Sequence, residues 1–298
     1  MAGLQLTDGG LETSLIFHQG LDLALFAAFP LVETEDGRAA LQRYWEPYLA
    51  VAREHDVGFV LDTATWRANP DWASQLGYGA HNLKAVNGAA VSFARELAAD
   101  QRAVVIEGVV GPRGDGYVVG EQMRPDEAAA YHGQQLDALA EAGVDQVAAI
   151  TFTYPQEAIG FVRAATAAGL SCIISFTVET DGRLPNGATL RDAIETVDAE
   201  TGGAAAGFMI NCAHPTHFEH ALVDGSWLDR ITGIRANAST MSHAELDAAD
   251  VLDDGDLEDL AGRYQALMGR LPALQVLGGC CGTDHRHIRA ISDACLGS

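Results

Sequence analysis

The chain has 298 residues and a net charge of −23, with 48% hydrophobic and 20% charged residues, which describes a folded soluble protein and excludes disordered and fibrous ones. Its 18 lysines and arginines are scattered, most of them near acids, so no basic stripe exists to neutralise phosphates. Nucleic acid and anionic membrane surfaces are thereby excluded as partners.

Eight short apolar runs recur along the chain, at 4–10, 58–65, 103–111, 146–153, 171–178, 207–213, 230–237 and 274–282. Continuous apolar runs of this length predict strands buried on both faces, the mark of a parallel sheet. Amphipathic segments at 38–56, 83–100, 124–143 and 155–169 predict helices between them; Pro125 and Pro155 sit at first-turn positions, and Gly143 and Gly169 follow the last periodic residues. The intervals 187–200, 215–228, 243–270 and 284–296 have room for four more, 215–228 being the weakest. Eight strand–helix units without a linker predict a single (β/α)8 barrel domain over 1–298, a doubly wound open sheet being the alternative. The Gly-rich stretch 108–120 lacks a phosphate-binding pattern and reads as the exit loop of the third strand.

The N-terminal residues carry no basic group ahead of their apolar positions, and no run approaches the roughly 18 apolar residues of a membrane span. Neither a signal peptide nor a transmembrane helix is expected. Five widely spread cysteines do not suggest a disulfide framework, so a cytoplasmic protein with reduced thiols is expected.

In a barrel the carboxyl ends of the strands carry the reactive groups. Those ends hold Asp8, then Asp62, Thr63, Thr65 and Trp66, then Glu107, Thr151 and Thr153, Glu179 and Asp181, Asn211 and Cys212, Asn237, and finally Cys280 and Cys281. Three thiols thus converge on one face, since strands six and eight are about 10 Å apart in a closed sheet. Soft thiolates with a vacant fourth position are what a catalytic zinc requires. Cys172 and Cys295 fit small core residues better. His214, His217, His220, His285 and His287 offer a competing mixed Cys/His site or a polar loop role. Glu107 either faces the barrel mouth or pairs with a basic residue such as Arg67 or Arg113, while Asp8 either caps its turn or binds a ligand.

Asp8-Gly9-Gly10, Thr63-Ala64-Thr65, Gly111-Pro112, Asn211-Cys212 and Gly278-Gly279-Cys280-Cys281-Gly282-Thr283 together resemble the homocysteine S-methyltransferase family, in order, from residue 8 to 283. The resemblance implies a (β/α)8 barrel in which Cys212, Cys280 and Cys281 bind Zn2+. It also implies methyl transfer from a sulfonium or ammonium donor (S-methylmethionine, S-adenosylmethionine or betaine type) to the thiol of homocysteine in methionine biosynthesis. Asp8 and Gly9 would help hold the acceptor. Thr63, Glu107, Thr151 and Asn211 join the candidate substrate contacts, and Trp66 and Tyr154 offer aromatic faces to a cationic donor. Two departures stand out: no acid precedes Glu157 at the end of strand four, where the family carries a glutamate for the acceptor's amino group, and Ala64 replaces a frequent Asn. The first departure predicts weak use of homocysteine relative to another thiol. Competing functions are a zinc hydrolase or lyase with Glu107 or Glu179 as base, and a non-catalytic zinc- or thiol-binding protein. The expected partners are a small thiol and a methyl donor; homo-oligomerisation is compatible with the sequence and not specified by it.

Overall fold

The computed structural model describes residues 3–297. Eight parallel strands close into one barrel in chain order: β1 (Gln5–Leu6), β2 (Gly58–Asp62), β3 (Val104–Val110), β4 (Gln146–Phe152), β5 (Cys172–Thr177), β6 (Gly207–Asn211), β7 (Ile231–Ala236) and β8 (Val276–Gly279). β1 closes the ring by pairing with both β2 and β8. The (β/α)8 expectation is met and the open sheet is excluded, because an open sheet would leave two edges that are paired here.

All eight predicted strands are present but end earlier than the apolar runs. The first shrinks from 4–10 to Gln5–Leu6, although Thr7 still donates its N–H to Leu277 O at 3.0 Å. The residues beyond each ladder form turns, and these turns build the barrel mouth. Gly10 shows why: a Cβ there would lie 2.3 Å from Thr13 Oγ1 and 2.8 Å from the Cys280 carbonyl oxygen, so only glycine lets β1's turn approach β8's.

The principal helices span Glu35–Glu54, Ala80–Ala98, Pro125–Ala142, Pro155–Ala167, Leu190–Thr201, Leu257–Met268 and His285–Leu296. Their limits follow local chemistry. Thr34, Thr189 and Asp256 accept hydrogen bonds from first-turn N–H groups, and Gly143, at φ +81°, ends the third helix. The weak interval after β6 holds only Pro215–Phe218 and two 3-10 turns, and 243–270 divides into His243–Asp247 and Leu257–Met268. Among the described residues no helix is long and apolar enough to cross a membrane.

Strand alternation produces two cores. On β6, Phe208 and Ile210 face the helices, and Phe208 stacks on Phe176 of β5 with ring centroids 6.2 Å apart. Met209, between them, faces inward, where it meets Val109, Ala148 and Ile150 in a small apolar layer that plugs the barrel. That plug is the floor on which the polar mouth rests. Met209→Ala should therefore cost about 2–5 kcal/mol in urea unfolding, because strand side chains cannot move in to refill a barrel interior, while Met209→Leu should cost less than about 1.5 kcal/mol.

Candidate active site

Above the plug lies a layer of charge. Arg235 of β7, 6% exposed, reaches across the barrel to Asp8 beyond β1 and Asp62 of β2, and its Nε–H donates to Gly279 O at 3.3 Å. Asp8 is held from the far side as well: its Oδ2 accepts from Tyr44 Oη at 3.0 Å and from Trp45 Nε1 at 3.2 Å. Asp62 and Glu107 are register partners on β2 and β3. Glu107 accepts from Gln146 Nε2 at 2.5 Å and engages neither predicted arginine. Arg113 pairs with Asp71 instead, and Arg67 lies over the Trp72 ring. Both arginines stand on loops above the strand ends, whereas Glu107 sits three residues deeper inside the sheet.

Three carboxyl groups around one guanidinium carry an excess of negative charge. Of the carboxylate oxygens in this layer, Asp62 Oδ1 and Glu107 Oε1, on adjacent strands, are buried without a hydrogen-bond partner. Burial pushes both carboxyls above their ordinary range against the pull of Arg235.

The cavity above this layer, about 620 Å³ counted out to its opening, is lined by Asp8, Gly9, Thr63, Trp66, Thr151, Cys212, Cys280 and Cys281. It also includes Glu12, Phe26, Tyr117 and Arg235, none of which the sequence reading singled out. Glu107 lies beneath the cavity. Tyr154 turns outward, where its Oη accepts the N–H of Met123 at 3.0 Å. Asn211 is fully buried and positions Thr151, whose N–H it accepts at 3.1 Å and to whose Oγ1 it donates at 2.8 Å. The hydroxyl of Thr63 is spent within the sheet, on Val109 N and Thr65 Oγ1.

The Sγ atoms of Cys212, Cys280 and Cys281 lie within 4.8 Å of one another, the one such cluster of metal-binding side chains among the described residues. Cys212 and Cys280 bring their Sγ atoms into direct contact, with Cα atoms 5.3 Å apart. Cys212, at the end of β6, has φ +52°, and Thr151, at the end of β4, has φ +68°. Such conformations are rare for residues other than glycine, and β-branched Thr151 is an outlier; both bend a side chain toward the mouth. Two hydroxyls approach the sulfurs: Thr151 Oγ1 is 3.9 Å from Cys212 Sγ and Tyr117 Oη 3.6 Å from Cys281 Sγ. Tyr117 stacks on His243, whose Nε2 meets the Cys212 carbonyl.

The histidines of the competing metal site point elsewhere. His214 bonds Thr216, His217 and His220 bond the carbonyls of Thr240 and Asp181, and His287 bonds that of Asp254. His285 begins the last helix, its ring edge-on to Tyr48. Tyr117 and Phe26 escaped the sequence reading because they come from loops without periodicity. Arg235 escaped because a charged residue within an apolar run gives no sign of which face it occupies.

A closed barrel that gathers three thiols around a cavity at the carboxyl ends of its strands defines an enzyme acting at its strand ends. The sequence profile of the homocysteine S-methyltransferase family matches residues 5–295. The structure is similar to the metallated homocysteine methyltransferase MmuM from Escherichia coli, with TM-score 0.73 and 22% identity over 98% of this chain and 96% of that one. The oxidised form of MmuM gives TM-score 0.75 at the same identity and coverage. At this identity the likeness speaks for the fold. No curated protein sequence matches the chain. The chain belongs to the homocysteine S-methyltransferase family and is a thiol S-methyltransferase.

The upward shift of these two carboxyls has a measurable consequence. Unfolding returns Asp62 and Glu107 to ordinary carboxyl behaviour, so above about pH 4.5 the native state holds more protons than the unfolded chain. Stability should therefore fall as pH rises from the ordinary carboxylate range through the raised native values. Glu107→Gln should flatten that slope in urea titrations at a series of pH values; an unchanged slope would show that the pair holds no proton.

Proposed function

We propose that this enzyme is zinc-dependent and moves a methyl group from an onium donor, of the S-methylmethionine, S-adenosylmethionine or betaine type, to the thiol of homocysteine. The observation that carries the reading is the meeting of three thiols from β6 and β8 at the wall of the cavity. The donor set fits zinc: soft sulfurs from two strand ends, with hydroxyls of Thr151 and Tyr117 placed to steady negative sulfur. When bound, zinc supplies a Lewis acid that lets an acceptor thiol, of ordinary pKa about 8.5, react as thiolate at neutral pH.

The chain's own residues do the rest. The cavity brings acceptor sulfur and donor methyl together and excludes water, so that a new S–CH3 bond forms as the donor's S–CH3 or N–CH3 bond breaks. The donor's cation is neutralised in the process, leaving a thioether or tertiary amine. Phe26, Trp66 and Tyr117 surround the cavity with aromatic surface suited to that cation; one face of Trp66 already carries the Arg67 guanidinium, 4.8 Å from the ring centroid. Asp8, Gly9 and Thr151 remain the substrate-facing polar residues, and Asp8 acts through a carboxylate already oriented by Arg235. Neither Glu107 nor Glu179 lines the cavity, so neither is placed to serve as the base of a hydrolase.

Reduced protein loaded with zinc should hold about one ion per chain. Cys212→Ser, Cys280→Ser and Cys281→Ser should each lose both zinc and methyl transfer, whereas Cys172→Ala and Cys295→Ala should keep both. Metal analysis, with mass spectrometry of products from the three donors, reads the outcome. Full zinc content in Cys280→Ser would overturn the ligand assignment, and absence of a methyl thioether with every donor would overturn the activity.

A further inference from the structure

Three carboxylates line the cavity: Asp8, Glu12 and Asp62. Arg235 engages Asp8 and Asp62. Among the described residues, no side chain donates a hydrogen bond to Glu12 or forms an ion pair with it. Arg67, whose field reaches Glu12, is engaged elsewhere: its guanidinium lies 3.9 Å from the Trp72 ring centroid and 4.8 Å from that of Trp66, and it donates to the Leu25 carbonyl. Glu12 is thus a carboxylate facing a cavity that no side chain of the protein engages directly.

Its position fits a ligand's charge. Glu12 follows the Asp8-Gly9-Gly10 turn, whose Gly10 packs against the Cys280 carbonyl, and lines the same cavity as Cys280 and Cys281, which places it on the side where the acceptor sulfur must arrive. Burial pushes the Glu12 carboxyl up to about 7, against the pull of a backbone N–H and of the more distant Arg67 and Arg235. A cation carrying N–H groups would restore what burial removed. The two cationic groups of the reaction differ in this respect. An alkylated onium centre has no such hydrogens and suits aromatic faces, whereas an α-ammonium group has three and suits a carboxylate.

We propose that Glu12 holds the α-ammonium group of the acceptor amino thiol and sets the preference for an amino acid over a plain thiol. The assignment rests on the methyl-transfer reading above. It removes the reason for expecting weak use of homocysteine: the carboxylate absent from the end of β4 is supplied from the turn after β1.

The test compares wild type with Glu12→Gln, an isosteric neutral replacement, as zinc-loaded enzymes. Acceptors are homocysteine and 4-sulfanylbutanoate, the same thiol without its amino group. Glu12→Gln should raise KM for homocysteine about 10- to 100-fold with kcat within about threefold, and leave KM for 4-sulfanylbutanoate and for the donor unchanged. Glu12→Asp should recover part of the loss. Equal effects on both thiols, a shift in donor KM alone, or no shift would each overturn the assignment. Calorimetric titration of homocysteine and 4-sulfanylbutanoate into the same proteins reads binding without turnover. Failure of methyl transfer would therefore overturn the functional reading, while loss or persistence of the binding difference in Glu12→Gln still decides the role of Glu12.

Discussion

One buried guanidinium organises the barrel mouth. Arg235 reaches from β7 to Asp8 beyond β1 and to Asp62 on β2, tying together strands on different sides of the ring. Despite burial, Asp62 and Asp8 keep it charged. Such a pair adds little net stability over an apolar substitute, because the desolvation of each ion offsets much of their attraction. What it contributes is geometry. With Asp8 fixed on one side by Arg235 and on the other by Tyr44 and Trp45, the turn at Gly9 and Gly10 cannot drift away from Cys280.

The same network divides the polar groups into those already committed and those still free to meet a substrate. Asp8, Asp62 and Thr63 border the cavity, yet each is engaged within the protein. Thr151 has its oxygen occupied by Asn211, which leaves the hydroxyl hydrogen to point at Cys212. Glu12 is left without a direct side-chain partner. Lining a cavity is therefore a poor measure of availability; the accounting of hydrogen bonds decides it.

Rigid and irregular parts of the chain contribute differently. The strand ends supply the sulfurs, and at Cys212 and Thr151 the backbone leaves ordinary strand conformation to do so. The connections after β1 and β3 supply Glu12, Phe26 and Tyr117, the groups with the closest claim on substrate charge. A fixed thiol cluster with a loop-built rim allows relatives on one barrel to differ in substrate while sharing a reaction centre.

The alternation of apolar runs and amphipathic segments was enough to determine parallel strands covered by helices and to favour a closed barrel over an open doubly wound sheet, since strands buried on both faces need helices around them. The carboxyl-end rule together with the spacing of Asn211-Cys212 and Gly278–Thr283 was enough to bring three thiols to one face. Both signals are local: periodicity and strand position can be counted along the chain. Partners of buried charges cannot. For Glu107 the sequence left open the barrel mouth or a basic partner such as Arg67 or Arg113, which are nearer in sequence; it lies in the layer of Arg235, 128 positions away. Tyr154 ends a predicted strand like any mouth residue, yet the irregular register between Ala149 and Phe152 and the turn into the next helix aim it outward. Closure of the ring decides which inward side chains share a layer, and only the folded barrel brings the first, second, third and seventh strands around one cation.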